Sequence, residues 1–213
     1  MSYDLYVITD QKLSRGLTHD QIAEKAVMGG ADAIQLRDKH CSGKELMSYA
    51  LKIREITRRH GALFFVNDRL DIAIASEADG VHLGQDDMPL SMARKISPPG
   101  FIIGISAGTV EEAIEAEKGG ADYVGAGPVY GTLSKSDAGP ACGICLIEDI
   151  KKRVSIPVVA IGGINENNVG EVLKAGADGV AAISAVISQE DVAGAAAKLK
   201  STITAHKLQS KRL

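Results

Sequence analysis

Eight short runs rich in β-branched and other apolar residues punctuate the chain. They are Leu5 to Thr9, Ala33 to Arg37, Leu63 to Asn67, Val81 to Gly84, Ile102 to Ser106, Tyr123 to Gly127, Val158 to Ile161 and Val180 to Ser184. Most are unbroken rather than alternating, which is the pattern of parallel strands buried on both faces. The stretches between them have the periodicity of amphipathic helices. Ser42 to Glu45 and Thr109 to Glu112 have capping-box spacing and predict helices after the second and fifth strands. Gly61, Gly119 and Gly176 fall near helix ends, where the chain often needs a left-handed residue.

An alanine-aspartate pair leads into a strand four times: Ala31-Asp32, Ala78-Asp79, Ala121-Asp122 and Ala177-Asp178. Recurrence at intervals under about sixty residues leaves room for two strand-helix units per copy, hence eight in all. The expected fold class is α/β, a (β/α)8 barrel of the TIM type in a single domain. Residues 1–207 are assigned to the barrel and residues 208–213 to a frayed tail. Active sites of such barrels lie in the loops leaving the carboxyl ends of the strands. The repeated aspartates precede their strands and so belong to the opposite, stabilising face.

Composition narrows the function classes. The 213 residues are 45% hydrophobic, enough for one sizeable core, and the formal net charge of -3 supplies no basic field for nucleic acid. No apolar run approaches the roughly 18 residues of a membrane helix, and the Met1-Ser2-Tyr3-Asp4 start lacks the features of a signal peptide. Three cysteines suit a reducing compartment, so a cytoplasmic location is expected. Cys142 and Cys145 have the spacing of a zinc or redox half-site but lack a second Cys/His pair; they are read as small packed hydrophobes. The five histidines are scattered, and His82, inside a strand, reads as a barrel-lining residue rather than a base.

Chemistry gathers where strands end. Gln35-Leu36-Arg37-Asp38-Lys39 puts an amide and two cations at the second strand mouth, suited to a polyanion. Asn67-Asp68 ends the third strand and Asp86-Asp87 follows the fourth, so Asp68 and either Asp86 or Asp87 reach one rim. Two carboxylates beside cations are the arrangement that holds magnesium against phosphate oxygens. Thr132-Leu133-Ser134-Lys135 after the sixth strand, Gly162-Gly163 after the seventh and Ile183-Ser184 after the eighth form a second anion-binding region.

Taken together, these ordered segments resemble the thiamine-phosphate synthase (thiamine-phosphate pyrophosphorylase) family from Leu5 to Ala197. The resemblance implies a transferase of thiamine biosynthesis. It joins an aminopyrimidine with a diphosphate-activated methylene to a thiazole phosphate, or its carboxylated form, and releases pyrophosphate. It further implies that Gln35, Leu36, Arg37, Asp38, Lys39, Asn67, Ser106 and Lys135 bind the pyrimidine diphosphate. Within that set, Lys39, Lys135 and Ser106 act in catalysis. Thr132, Leu133, Ser134, Gly163, Ile183 and Ser184 would hold the thiazole phosphate, with Asp68 and Asp87 on Mg2+. The implied partners are these small molecules, with neither nucleic acid nor membrane; a homo-oligomer is compatible with the fold.

Three positions depart from the family pattern. Ser134 replaces a usual Thr, Gly131 a usual Pro, and Gly108 a His common in the related thiazole tautomerases. The missing His and the presence of both aspartates count against a tautomerase. A non-catalytic sensor of thiamine intermediates is the competing reading from another class, and it need not retain both carboxylates.

Overall fold

The protein was analysed as a computed structural model that describes residues 3–132, 134 and 139–210. Its strands are β1 (Leu5–Ile8), β2 (Ala33–Leu36), β3 (Leu63–Asn67), β4 (Gly80–Leu83), β5 (Ile102–Ala107), β6 (Tyr123–Ala126), β7 (Val158–Ile161) and β8 (Gly179–Ala182). Each pairs in parallel with the next, and β8 returns to β1 to close the barrel. The helices are α1 (His19–Met28), α2 (Gly43–His60), α3 (Leu70–Ala75), α4 (Leu90–Ile96), α5 (Val110–Lys118), α6 (Cys145–Lys151), α7 (Val169–Lys174), α8 (Ser184–Ile187) and α9 (Val192–Ser210). The fold is a single-domain (β/α)8 barrel. α9 continues to Ser210, past the residue where the sequence sets the start of a tail.

Apolar burial drives closure. Leu5, Ile34, Phe64, Val81, Ile103, Val124, Val158 and Val180, one from each strand, are completely buried. Each such side chain stabilises the fold by roughly 1.5–3 kcal/mol relative to exposure. Inside the barrel Tyr6, Phe65 and Tyr123 meet from three strands, with ring centroids 5.2 to 6.1 Å apart.

The four repeated aspartates do one job at four places. Asp32, Asp79, Asp122 and Asp178 each accept the backbone N–H at or near the start of the preceding strand: Leu5 at 2.8 Å, Phe64 at 2.7 Å, Ile103 at 2.7 Å and Val158 at 2.8 Å. Each also meets a cation from a covering helix: Lys200 at 2.7 Å, Arg54 at 2.7 Å, Arg94 at 2.6 Å and Lys151 at 2.8 Å. One carboxylate thereby ties a strand pair to a helix, and the repeat is the chemical signature of that tie. All four lie at the amino ends of the strands, which leaves the opposite rim for function.

Helix ends follow local chemistry with two corrections. Ser42 Oγ accepts from Glu45 N while Glu45 accepts from Ser42 N at 3.0 Å, a complete capping box. At α5 only half forms: Thr109 Oγ accepts from Glu112 N, but the Glu112 carboxylate is drawn to Gly108 N at 2.6 Å. Gly61 and Gly176 take positive φ, whereas Gly119 is right-handed and Gly120, with φ of 86°, makes the left-handed step. A Cβ on Gly119 would lie 2.7 Å from the end of the Leu90 side chain, which would have to shift to admit it.

Candidate active site

At the carboxyl rim the ends of β2 to β8 surround a cavity of about 320 Å³. Arg37, Lys39, Asn67, Asp68, Asp86, Asp87 and Ser106 form one side of its wall, and Thr132, Ser134, Gly163, Ile183 and Ser184 another. Residues from both expected anion sites therefore share one mouth, although Gln35, Leu36 and Asp38 are not part of its wall.

Asp68 emerges from β3 with φ of 61°, a left-handed conformation that aspartate tolerates better than most residues. Its N–H donates to the His82 carbonyl at 2.9 Å, which fixes it to the end of β4. Burial, then hydrogen bonding and repulsion from Asp87, raises the Asp68 pKa to about 6, against the opposing pull of Lys39 and Arg37. Lys39 Nζ lies 4.0 Å from Asp68 Oδ2. Asp87 Oδ2 accepts from Gly84 N at 2.7 Å, and this bond aims the carboxyl at its neighbour. Of the two acidic residues after β4, Asp87 is thus the partner of Asp68. Ionising Asp68 beside Asp87 is disfavoured until a cation offsets the charge, so the donor set suits a hard divalent ion with oxygen ligands.

The segment after β2 divides its labour. Arg37 and Lys39 line the cavity, whereas the Leu36 side chain is fully buried and Asp38 is not part of the cavity wall. Asp38 accepts from His40 N at 2.7 Å and Cys41 N at 2.9 Å, and it meets His19 Nε2 at 3.1 Å. Burial would raise its pKa, but these amides and the imidazole hold the carboxyl well below the usual range. His19 is itself buried and packed on Thr9 Oγ1 at 2.7 Å, and Thr9 Oγ1 also accepts the Arg37 N–H. Burial lowers the His19 pKa against the pull of Asp38. Ligating atoms of His19, Asp38 and Cys41 come within 4.8 Å of one another, yet the Asp38 oxygens are committed to shaping this turn.

Across the mouth, Ser134 Oγ donates to Ser184 Oγ at 3.1 Å, and Ser134 N donates to Thr132 Oγ1 at 3.2 Å. Gly163 sits at φ of 62°, where a Cβ would lie 2.8 Å from the Gly131 carbonyl and from Tyr130 Cβ. Hydroxyls from two loops meet there against a backbone that admits only glycine. Lys135 and Leu133, both expected at the site, lie outside the described residues.

Below the mouth a smaller cavity is lined by Gln35, Tyr6, Tyr123, His82 and Ser106. Gln35 is 2% exposed, and its Oε1 has no hydrogen-bond partner among the described residues. His82 does line the barrel, and it also touches Ser106, 2.9 Å from Nε2 to Oγ. Gln85 is a further wall residue that sequence reasoning missed; its Nε2 donates to the Ser106 carbonyl at 2.6 Å. Its place directly before Asp86 was the available signal. Cys142 and Cys145 are exposed rather than packed as small hydrophobes, Cys142 in the long connection from β6 to α6 and Cys145 at the first position of α6.

Fold and mouth define a (β/α)8 barrel with one cavity of charged and hydroxyl side chains at its carboxyl rim. The chain belongs to the thiamine monophosphate synthase family, whose model matches residues 5–186. It is 59% identical over 212 residues to the thiamine-phosphate synthase of Methanocella arvoryzae, covering 100% of both chains. It is 60% identical over 198 residues to that of Methanospirillum hungatei, covering 93% of this chain and 96% of the relative. The thiamine phosphate pyrophosphorylase structure from Pyrococcus furiosus superposes with a TM-score of 0.90 at 46% identity, covering 96% of each chain. A 3-hexulose-6-phosphate synthase structure shares the fold alone, with a TM-score of 0.69 at 20% identity over 93% of this chain and 99% of that one. The chain is accordingly a transferase of thiamine biosynthesis that forms thiamine phosphate. Among the described residues no helix is long and apolar enough to cross a membrane.

Proposed function

We propose that the cavity condenses an aminopyrimidine methyl diphosphate with a thiazole phosphate, or its carboxylated form, and releases pyrophosphate. The observation that carries this reading is the Asp68–Asp87 pair beside Arg37 and Lys39, facing a hydroxyl cradle across one mouth. A diphosphate needs the first set and a phosphate monoester fits the second.

The chemistry demands little acid-base machinery. Electron donation from the aminopyrimidine lets the C–O bond to diphosphate break with both electrons leaving on oxygen. The thiazole nitrogen lone pair then forms the new C–N bond to the methylene, and from the carboxylated form the carboxylate is lost as CO2, its C–C bonding pair remaining on the ring. The chain must therefore stabilise charge on the departing group and align the nucleophile. Lys39 and Arg37 face the diphosphate, and at about 4 Å with an effective dielectric of about 20 each cation–oxyanion pair is worth on the order of 4 kcal/mol before desolvation. Asp68 and Asp87 would hold Mg2+, which when bound supplies further positive charge to the leaving diphosphate. Asn67 and Ser106 complete the wall on that side, and Lys135 is assigned to the same group. Thr132, Ser134, Gly163, Ile183 and Ser184 orient the thiazole phosphate, with Leu133 in the same loop.

The orphaned Gln35 Oε1 supports an aminopyrimidine in particular. A buried acceptor without a donor costs about 1–3 kcal/mol, and the exocyclic amine of the substrate provides that donor. Mass spectrometry of the product formed from the two substrates with Mg2+ tests the reading: thiamine phosphate supports it, and intact substrates with folded protein refute it.

A further inference from the structure

Five polar side chains from five different strands form one continuous chain through the barrel interior. Gln35 Nε2 donates to Tyr6 Oη at 3.0 Å, Tyr6 Oη meets Tyr123 Oη at 3.1 Å, Tyr123 Oη meets His82 Nδ1 at 2.9 Å, and His82 Nε2 meets Ser106 Oγ at 2.9 Å. The four interior members are buried, and Ser106 lines both the mouth and the small cavity beneath it. Their seats are shaped for them. A Cβ on Gly104 would lie 2.1 Å from the Tyr123 ring, and one on Gly125 would lie 2.8 Å from the His82 ring.

With His82 neutral, proton counting over the described bonds leaves this chain few arrangements. Each phenol carries one proton, and a neutral imidazole donates at one nitrogen and accepts at the other. Burial holds the pKa of both tyrosines far above the ordinary value, against the opposing pull of the Tyr123 and Gln35 hydrogen bonds at Tyr6, so neither loses its proton. If Gln35 donates, Tyr6 must donate to Tyr123, Tyr123 to His82 Nδ1, and His82 Nε2–H to Ser106 Oγ. The Ser106 proton then remains for the mouth. If the Gln35 amide is turned, every bond reverses: Ser106 donates inward to His82, and Gln35 presents N–H groups to the small cavity. Any mixture of the two orders strands a phenol proton or an acceptor inside the barrel, at about 1–3 kcal/mol.

We propose that Tyr6, Tyr123 and His82 are positioning residues whose shared proton order couples the orientation of the Gln35 amide to the donor state of the Ser106 hydroxyl. Building on the substrate assignment above, a pyrimidine amine selects the order in which Gln35 shows its carbonyl. That same order leaves Ser106 with a proton to donate to the departing diphosphate. Recognition of the ring at one end thus readies a hydrogen-bond donor for the leaving group at the other. A ring that presents an acceptor in place of the amine sets the opposite order and withdraws that donor.

The test reads the protons. In the complex with Mg2+ and the pyrimidine diphosphate, without thiazole phosphate, side-chain 15N shifts of His82 should report a protonated Nε2 and a bare Nδ1. Affinity supplies a second reading by calorimetry. In the wild type, deleting the pyrimidine amine and making Ser106→Ala should weaken binding by less in combination than the product of the separate losses, by threefold or more. In Tyr123→Phe the two losses should multiply. A protonated Nδ1 or an imidazolium in the complex, or multiplying losses in the wild type, overturns the relay, and the wild-type spectrum decides even if the variant fails to fold. If thiamine phosphate still forms, such a result leaves the functional reading standing; failure to bind the pyrimidine diphosphate removes both.

Discussion

Asp68 and Asp87, following neighbouring strands, line the same mouth, and burial, then hydrogen bonding and repulsion from Asp87, raises the Asp68 pKa to about 6. Its folded pKa therefore lies above the value near 3.9 of an unfolded aspartate. The stability contributed by its proton is complete below about pH 4 and lost as pH rises through about 6, so without metal this pair weakens the fold at neutral pH. Asp68→Asn should raise the melting temperature of the metal-free protein at pH 7.5 and leave it little changed at pH 4. The same substitution should lower turnover by roughly a hundredfold or more, as expected on removing a principal electrostatic stabiliser. Thermal melts at the two pH values check the first half; equal shifts at both would show that the pair does not share a proton.

Magnesium affinity should carry the same signature. Below about pH 6 a proton must leave Asp68 before an ion is held, so affinity should fall about tenfold per pH unit there and level off above it. Calorimetric titration of Mg2+ in the presence of diphosphate between pH 5 and 8 measures this. A flat profile across that interval is the contrary result.

His19 holds Asp38, which caps the turn between Arg37 and Lys39, the two cations proposed to face the diphosphate. His19→Ala should loosen that turn and raise KM for the pyrimidine diphosphate about tenfold, with KM for the thiazole phosphate within twofold of wild type. Steady-state kinetics with each substrate varied in turn distinguishes this from general damage, which would move both constants together.

Asp79 belongs to the other face. Asp79→Ala removes the partner of Arg54 and the acceptor of the Phe64 N–H, and should cost about 2 kcal/mol, or roughly 4–8 °C in Tm. Turnover per folded molecule should be unchanged. A fall in kcat at a temperature where the variant is folded would place Asp79 in the machinery after all.

Much of this was legible because it is written locally. Each strand is a contiguous apolar run, and the Ala-Asp repeat marks four strand starts with the residue that ties them. Asp68 could be placed from its position after Asn67 at a strand end, but its choice of Asp87 over Asp86 depends on the Gly84 N–H, which only the folded turn aims. Gly119 was misread because Gly119 and Gly120 stand side by side at the helix end, and only the folded chain shows that Gly120 takes the left-handed step. Least legible was the chain from Gln35 to Ser106. Its members come from five strands, and within runs such as Leu5 to Thr9 or Tyr123 to Gly127 the phenols look like ordinary buried aromatics. Asp38 shows the converse: it stands between two cations that line the site, yet its carboxyl serves the turn that holds them.

The most direct measurement follows pyrophosphate and thiamine phosphate together in a coupling assay on the purified protein. Both should appear in equal amounts when the pyrimidine diphosphate, the thiazole phosphate and Mg2+ are all present, and neither should accumulate when any one is omitted. Undiminished turnover in excess chelator, or tight binding of both substrates with Mg2+ and no product, would contradict the assignment of this mouth to metal-assisted condensation.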